Sequence, residues 1–427
     1  MRIGVYLDNE PLKGMRFGNL SEGNPGIGGT EYCVLFLCQE LAKQYPNDDI
    51  FLFCSEKTEL ASVDNVIGGY SIISFIKDAA KYNLDVCLIS YNFFKEKKDM
   101  MVEELSHKNL NIILWGHNYY FEDDCNLIAD LDSIKANVFV GRQQYDHYID
   151  HRIINKSTYI YNMYPEQNVV TTVSSNNNVV TYIGSLICSK GFHVLAKQWK
   201  KIIKKVPSAQ LYVIGNGKLY NRKQKMGKFD IAEESYENSF IPCLLNSNGE
   251  LLKSVHFLGV LGSEKKEIIK KTKVGVVNPT ARTETFGISA LDFEAYGVPV
   301  VTKSKGGFLD TVVNKKTGLL YFREKHLYKK VVKLLLDNHL NTSFGRQGAE
   351  YCKKFAPDSI AREWHKLFED VVFGKKIEFR KPKNFYFRDL KIFRIANRNL
   401  KRIFKVKKGM SLIGLETKIW RLLHKKK

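Results

Sequence analysis

Short apolar, β-branched runs alternate along most of this chain with longer stretches whose apolar positions return every three or four residues. The first kind predicts buried strands and the second amphipathic helices. Strands are predicted at residues 3–7, 50–54, 86–90, 112–115, 138–140 and 158–161. A polar stretch at 171–178 (TTVSSNNN) then interrupts the alternation and predicts a linker. The pattern restarts with strands at 179–183, 210–214, 255–258, 274–277 and 298–302. Strands alternating with helices imply right-handed crossovers and mostly parallel sheets. The fold class is therefore α/β, with two Rossmann-like doubly wound domains, 1–170 and 171–356, facing each other across a cleft. Ligands of such sheets sit at the carboxyl ends of the strands. Residues 357–373 predict a helix crossing back toward the first domain, with Ile360, Trp364, Phe368 and Val371 near helical spacing. Residues 218–253 keep no steady period and read as an insertion without an assignable role.

Composition changes this picture at one end only. The apolar fraction, 44%, is ordinary for a globular chain. No run approaches the roughly 18 apolar residues of a spanning helix, and the first residues read as a strand and not as a signal peptide. The eight cysteines are scattered, with no Cys-x-x-Cys pair. That spacing argues for reduced thiols in a cytosolic setting and against structural zinc. The net charge of +21 is uneven: residues 375–427 hold 19 Lys/Arg against 3 Asp/Glu, so this tail carries +16 and the remainder only +5. Within the tail, 374–427, Leu390, Phe393, Ala396, Leu400, Ile403 and Phe404 fall near one helical face, and Leu412, Leu415, Ile419 and Leu422 form a second stripe. Basic amphipathic helices of this kind lie on anionic membrane surfaces, where each Lys or Arg contributes about 1 kcal/mol. A cytoplasmic protein, peripheral on the inner face of the membrane, is the expectation. A helix pair packed on the body is the plainer alternative. Nucleic acid is not expected as a partner, because no recognised motif accompanies the charge.

Candidate chemistry starts at NPGIGGTEYC, residues 24–33. A dinucleotide fingerprint needs G-x-G-x-x-G directly after the first strand. Here Glu31 occupies the third glycine position and the turn begins well after the strand ends, so the NAD reading fails. Gly28 and Gly29 still let a ligand approach the backbone, and a helix opening near Thr30 would turn its free N–H groups toward an anion. A plain loop with a glycine cap is the alternative.

The second half narrows the choice. YIGSLICSKGFHVL puts Lys190 in a turn between a strand and a helix, and LYVIGNGKLY ends a strand at Gly215-Asn216-Gly217. VNPTARTETFGISALDFEAYGVPVV holds Glu284, Phe286-Gly287, Asp292 and Gly297-Val298-Pro299. This ordered set resembles the retaining glycosyltransferases of family 4, which have the GT-B fold, over roughly residues 1–373. The family's paired acids around Glu-x-Phe-Gly stand here as Glu284 and Asp292, the latter one methylene shorter than the usual glutamate. The resemblance implies that Glu284 binds hydroxyls of the donor sugar and Asp292 those of the nucleotide ribose. It implies that Lys190 neutralises the donor diphosphate, and that the amides around Phe286, Gly287 and Ile288 open a helix toward it. Gly28 and Gly29 match the glycine pair that approaches the donor phosphate and sugar. His117, in ILWGHNYY, matches a histidine that meets the donor sugar near the acceptor, and Trp115, Tyr119 and Tyr120 either line a sugar site or pack. Ser185 stands where the family often has an arginine, which leaves one diphosphate cation out of place; Arg282 is a candidate substitute.

The implied activity is retaining transfer of a sugar from a UDP- or GDP-sugar to a glycan or lipid-linked acceptor, in cell-surface polysaccharide or lipopolysaccharide synthesis. The resemblance implies front-face displacement without a protein nucleophile, with positioning and electrostatic stabilisation supplied by Glu284, Lys190 and His117. No metal and no cofactor beyond the sugar nucleotide are expected. The competing readings are a sugar-nucleotide epimerase, a phosphorylase, for whose pyridoxal lysine no segment can be assigned, and a noncatalytic basic binder of membrane or nucleic acid.

Overall fold

The computed structural model describes residues 1–106, 108–165, 177–217, 225–406 and 408–424. Most of the predicted linker, 171–176, lies outside them. The chain divides into two compact units, one made of residues 1–22, 27–163 and 357–427 and the other of 23–26 and 164–356.

The first unit is built on a seven-stranded parallel sheet. Its strands are β1 (Arg2–Leu7), β2 (Asp49–Cys54), β3 (Asn65–Ile67), β4 (Val86–Ser90), β5 (Ile112–Gly116), β6 (Ile134–Phe139) and β7 (Ser157–Tyr159). Their order is β3-β2-β1-β4-β5-β6-β7. Ile3 pairs with Ile50 on one side and with Val86 on the other. Central parallel strands are covered on both faces, which is why they read as unbroken apolar runs. The second unit carries a six-stranded parallel sheet: β8 (Val179–Ile183), β9 (Gln210–Ile214), β10 (Val255–Gly259), β11 (Val274–Val277), β12 (Val300–Lys303) and β13 (Gly318–Tyr321), ordered β10-β9-β8-β11-β12-β13. Both sheets are doubly wound, and the order reverses beside β1 in one and beside β8 in the other. Ligands favour the crevice at such a reversal.

The helices that bear on function are α1 (Gly29–Gln44), α2 (Glu122–Asp130), α3 (Arg142–His147), α4 (Phe192–Lys205), α5 (Lys265–Lys270), α6 (Ile288–Glu294), α7 (Pro357–Val372), α8 (Lys391–Ile403) and α9 (Leu412–His424). Helix α1 is buried from Tyr32 to Leu41 and is apolar nearly all round, as a helix covered by sheet and neighbouring helix should be. Helix α7 belongs to the first unit: Trp364 meets Trp115 edge-on at 4.7 Å, and His365 stacks on Tyr45 at 3.6 Å.

Three expectations change. The strand predicted at 298–302 runs from Val300 to Lys303, and the one at 138–140 begins earlier, at Ile134. The described part of the 218–253 segment is no loose insertion: Tyr236, Phe240, Ile241 and Leu244 lie in the hydrophobic core of the second unit. The buried Glu237 carboxylate accepts the backbone N–H groups of Phe229, Ile231 and Ala232, which organises the loop without any repeating pattern. Helix α8 of the tail, finally, packs on the first unit through its polar side. Lys391 and Arg394 are buried, whereas Phe393, Leu400, Ile403 and Phe404 are exposed.

Candidate active site

Two turns at the carboxyl ends of β8 and β11 form the site. Lys190 closes a single 3-10 turn, Cys188–Lys190, after β8. Its carbonyl accepts the hydroxyl of Tyr182 on β8 at 3.1 Å, and the neighbouring Ser189 carbonyl accepts Thr280 Oγ1 at 2.7 Å. Thr280 lies just past β11, so the two turns are joined. In the second turn Asn278 and Ala281 have positive φ, 27° and 49°. A left-handed backbone costs most side chains roughly 1–2 kcal/mol. Here Asn278 Oδ1 holds the turn by accepting Ala281 N–H and Thr280 Oγ1, each at 3.0 Å. Strain of this sort persists where surrounding contacts over-determine it, often at functional sites.

The joined turns bring Lys190 Nζ to 3.1 Å from Glu284 Oε2, which also accepts Asn278 Nδ2 at 2.8 Å. Burial pushes the Glu284 carboxyl up. The Lys190 charge, the hydrogen bonds from Asn278 and Lys190, and the Gly287 N–H outweigh it, so the group ends below the usual carboxylate range. Glu284 is thus an ionised acceptor held against a fixed cation. Gly287 has φ +87° and begins α6, and a Cβ there would meet the Phe308 ring at 2.6 Å. Only glycine fits both the space and the backbone. Its amide, expected to face a diphosphate, is engaged by Glu284 in this structure. Phe286 is buried with its ring edge-on to Phe355 at 5.4 Å, and Ile288 is half-buried at the first position of α6.

Asp292 lies on α6. Both its oxygens are 3.1 Å from Lys265 Nζ, and the Tyr164 hydroxyl donates to Oδ1 at 3.2 Å. Sequence reasoning missed Lys265 and Tyr164. The signal for Lys265 was present: like Lys190, it stands at a helix start shortly after a strand. Ser185 is buried in the loop after β8, and Arg282 is exposed. Lys265 is thus a further ordered cation of this unit, paired with Asp292, while Arg282 is exposed.

Gly28, Gly29 and His117 belong to the first unit. Gly28 caps α1, and a Cβ on it would meet Glu31 Oε2 at 2.1 Å, while Gly29 faces open space. An anion at this turn has to move the Glu31 carboxylate aside. His117 follows β5, its ring tilted against Trp115 at 4.5 Å, and burial takes its pKa down to about 3. The imidazole is neutral across the ordinary pH range. Of its aromatic neighbours, Trp115 and Tyr120 are packed in the core, and Tyr119 is half-buried against His147 at 5.3 Å.

Residues 163–351 match the family described as glycosyl transferases group 1. Among curated proteins, the capsular polysaccharide biosynthesis glycosyltransferase CapM of Staphylococcus aureus is 28% identical over 201 residues, 46% of this chain and 47% of that one. The chain matches about half the length of the curated relatives it resembles. Among solved structures, sucrose-phosphate synthase from Thermosynechococcus elongatus superposes with a TM-score of 0.65 at 16% identity, covering 88% of this chain and 100% of that one. Anabaena HepE, solved with UDP and glucose, gives 0.62 at 13% identity, covering 87% and 100%. The shared architecture shows the GT-B fold, and residues 163–351 are similar to glycosyl transferases group 1.

Proposed function

We propose that this protein is a retaining glycosyltransferase of family 4. In this reading it moves a sugar from a nucleoside-diphosphate sugar, UDP- or GDP-linked, to a glycan or lipid-linked acceptor in cell-surface polysaccharide synthesis. The observation that carries the reading is the Lys190–Glu284 pair. A carboxylate kept ionised by a cation and two further donors suits the acceptance of sugar hydroxyls, and the same cation can take up charge on a leaving phosphate. The acceptor oxygen bonds to the anomeric carbon as the bond from that carbon to the diphosphate breaks. The acceptor's proton passes to the departing phosphate oxygen. Asp292, steadied by Lys265 and Tyr164, accepts the ribose hydroxyls. Neutral His117 donates or accepts a hydrogen bond at the sugar. The CapM resemblance favours a surface polysaccharide as the product class. No helix among the described residues is long and apolar enough to cross a membrane. The basic tail is proposed to hold the protein on the inner membrane surface, where lipid-linked acceptors reside.

The test is titration calorimetry with UDP and GDP, followed by transfer assays with the sugars of whichever base binds and NMR of the product's anomeric configuration. Binding of one nucleotide, lost in Lys190→Ala, and a retained anomer are expected, with activity persisting in EDTA. Turnover by a folded Glu284→Ala variant at the normal rate would sink the assignment. Release of a modified free sugar without acceptor would favour the epimerase reading.

A further inference from the structure

A large cavity in the first unit is lined by neither Gly28 nor His117. It encloses about 1130 Å³ between α2, the segment 149–156, α8 and the start of α9. That is just above the roughly 300–1,000 Å³ of small-molecule sites. Eight Lys and Arg side chains line it, against the carboxylates of Glu122 and Asp150.

How those charges are held indicates the guest. Lys156 Nζ donates to the carbonyl of Leu131 at 2.6 Å, and Lys401 Nζ to those of Asp150 and Gly409 at 2.8 and 2.9 Å. Arg398 donates to the Ile149 carbonyl at 3.1 Å, lies 3.7 Å over the Phe379 ring, and keeps a buried Nε with no hydrogen-bond partner. Neutral carbonyls orient these cations without cancelling their charge. Burial lowers the pKa of all three and outweighs the carboxylates near them, Asp132 and Asp130 for Lys156 and Asp150 and Glu122 for Lys401. Asp150 is already committed to Asn397, Leu412 and Arg394, and Arg152 to Asp130. Arg402, Lys405, Lys408 and Lys418 are exposed on the same rim. An anion with several oxygen acceptors would complete this set.

The rim is also apolar. Ile403 at the end of α8 and Phe404, Val406 and Met410 in the α8–α9 connection are exposed, and Val406 and Met410 line the cavity. A basic pocket edged by exposed apolar side chains matches a lipid: phosphate inside, acyl chains beside. We propose that this pocket binds the phosphate headgroup of an anionic phospholipid while the α8–α9 connection enters the acyl layer. The inference rests on the membrane reading of the tail and deepens it, from a diffuse basic surface to a defined headgroup site.

The test is cosedimentation of the full chain with phosphatidylcholine vesicles containing phosphatidylglycerol. Two charge-neutralised triples are compared, Arg402→Gln/Lys405→Gln/Lys408→Gln in the rim and Lys376→Gln/Lys381→Gln/Lys383→Gln elsewhere in the tail. All six residues are exposed, so thermal unfolding should match wild type and confirm folding. A diffuse field predicts equal losses. A pocket predicts that the rim triple loses at least about tenfold more binding than the other. Phe404→Ser should weaken binding as well. Replacing phosphatidylglycerol by oleate at equal surface charge should weaken binding about tenfold, because a carboxylate offers fewer acceptors. Equal losses from the two triples, or equal binding to oleate vesicles, would overturn the headgroup site while leaving the tail's membrane role intact. Failure of the wild type to bind any of these vesicles would overturn both.

Discussion

Replacing Lys190 with alanine isolates the energetics of the site. At 3.1 Å the Lys190–Glu284 attraction is about 5 kcal/mol with an effective dielectric near 20. Desolvation of both ions offsets much of it, and breaking a buried pair typically costs about 3–5 kcal/mol because a charge is left behind. The two side chains keep 22% and 15% of their surface exposed, so about 2–3 kcal/mol is expected. For a unit of this size that corresponds to a fall in melting temperature of roughly 5–10 °C. The pH dependence gives a second handle. The folded-state pKa of Glu284 is depressed, so its stabilisation is present above the ordinary value of 4.5 and is lost as pH falls through the lower folded value. In Lys190→Ala, burial is opposed only by Asn278 and Gly287, and the carboxyl rises. The stability gap between wild type and variant should therefore close on acidification. The double variant Lys190→Ala/Glu284→Gln removes the stranded charge and should recover about half of the loss at pH 7, with nucleotide binding still impaired. The assay is calorimetric unfolding across pH. A single variant that melts like wild type, or a double variant no more stable than the single, would refute the reasoning.

Lys265→Ala should weaken UDP or GDP binding about tenfold in titration calorimetry, with partial rescue by Lys265→Arg, since Asp292 loses its steadying cation. Glu294 is fully buried, donated to by Thr317 at 2.6 Å, and burial raises its pKa well above the ordinary value. Its stabilisation is fully present below 4.5 and is lost as pH rises through the folded value, so Glu294→Gln should gain on wild type by about 1.4 kcal/mol per pH unit above 4.5, read by denaturant unfolding. Arg394→Met strips the buried Asp150 of its cation and should cost about 3–5 kcal/mol in the first unit, seen as faster trypsin release of the tail.

The site was legible where one residue carries one constraint. Glu284 was placed in a loop, Asp292 on the helix after it and Lys190 in a turn between strand and helix from the order along the chain, while their roles came from the family resemblance. Tyr164 escaped because it comes from a distant segment that meets Asp292 only in three dimensions, whereas Lys265 carried the same local signal as Lys190 and was passed over. Both sheets were readable because parallel strands buried on two faces are uninterrupted apolar runs. Strand β3, of three half-buried residues, and β13, opening on Gly318, carry too little of that signal. The 218–253 segment was misread for a related reason. Its order comes from the single Glu237 carboxylate collecting backbone donors, and no periodicity reports such a contact.

The tail shows what periodicity leaves undetermined. A stripe of Phe393, Leu400 and Ile403 fixes the angular position of an apolar face, and in most soluble helices that face is buried. Here the opposite face is buried. Lys391 Nζ reaches Asp146 at 2.6 Å and Gln143 at 2.9 Å, both on α3, and Arg394 pairs with Asp150 and Glu416. Those acids come from the first unit and from α9, so the sequence of α8 alone could not reveal that its cations are expected inside. Buried ion pairs add little net stability over apolar packing, but they fix orientation strictly, because any other rotation leaves a charge unpaired. The consequence is functional. A tail docked by its apolar face would have no means of entering a lipid surface, whereas one docked by its ions leaves Ile392, Phe393, Leu400 and Ile403 of α8 exposed. It also means that deleting 375–427 would strand Asp146 and Asp150 in the first unit, so loss of function on truncation says nothing about membranes. Point changes on the exposed face separate the two roles: Phe393→Ser with Leu400→Ser should leave the melting temperature unchanged and reduce vesicle binding, while a fall in both would show that this face is covered in the folded protein.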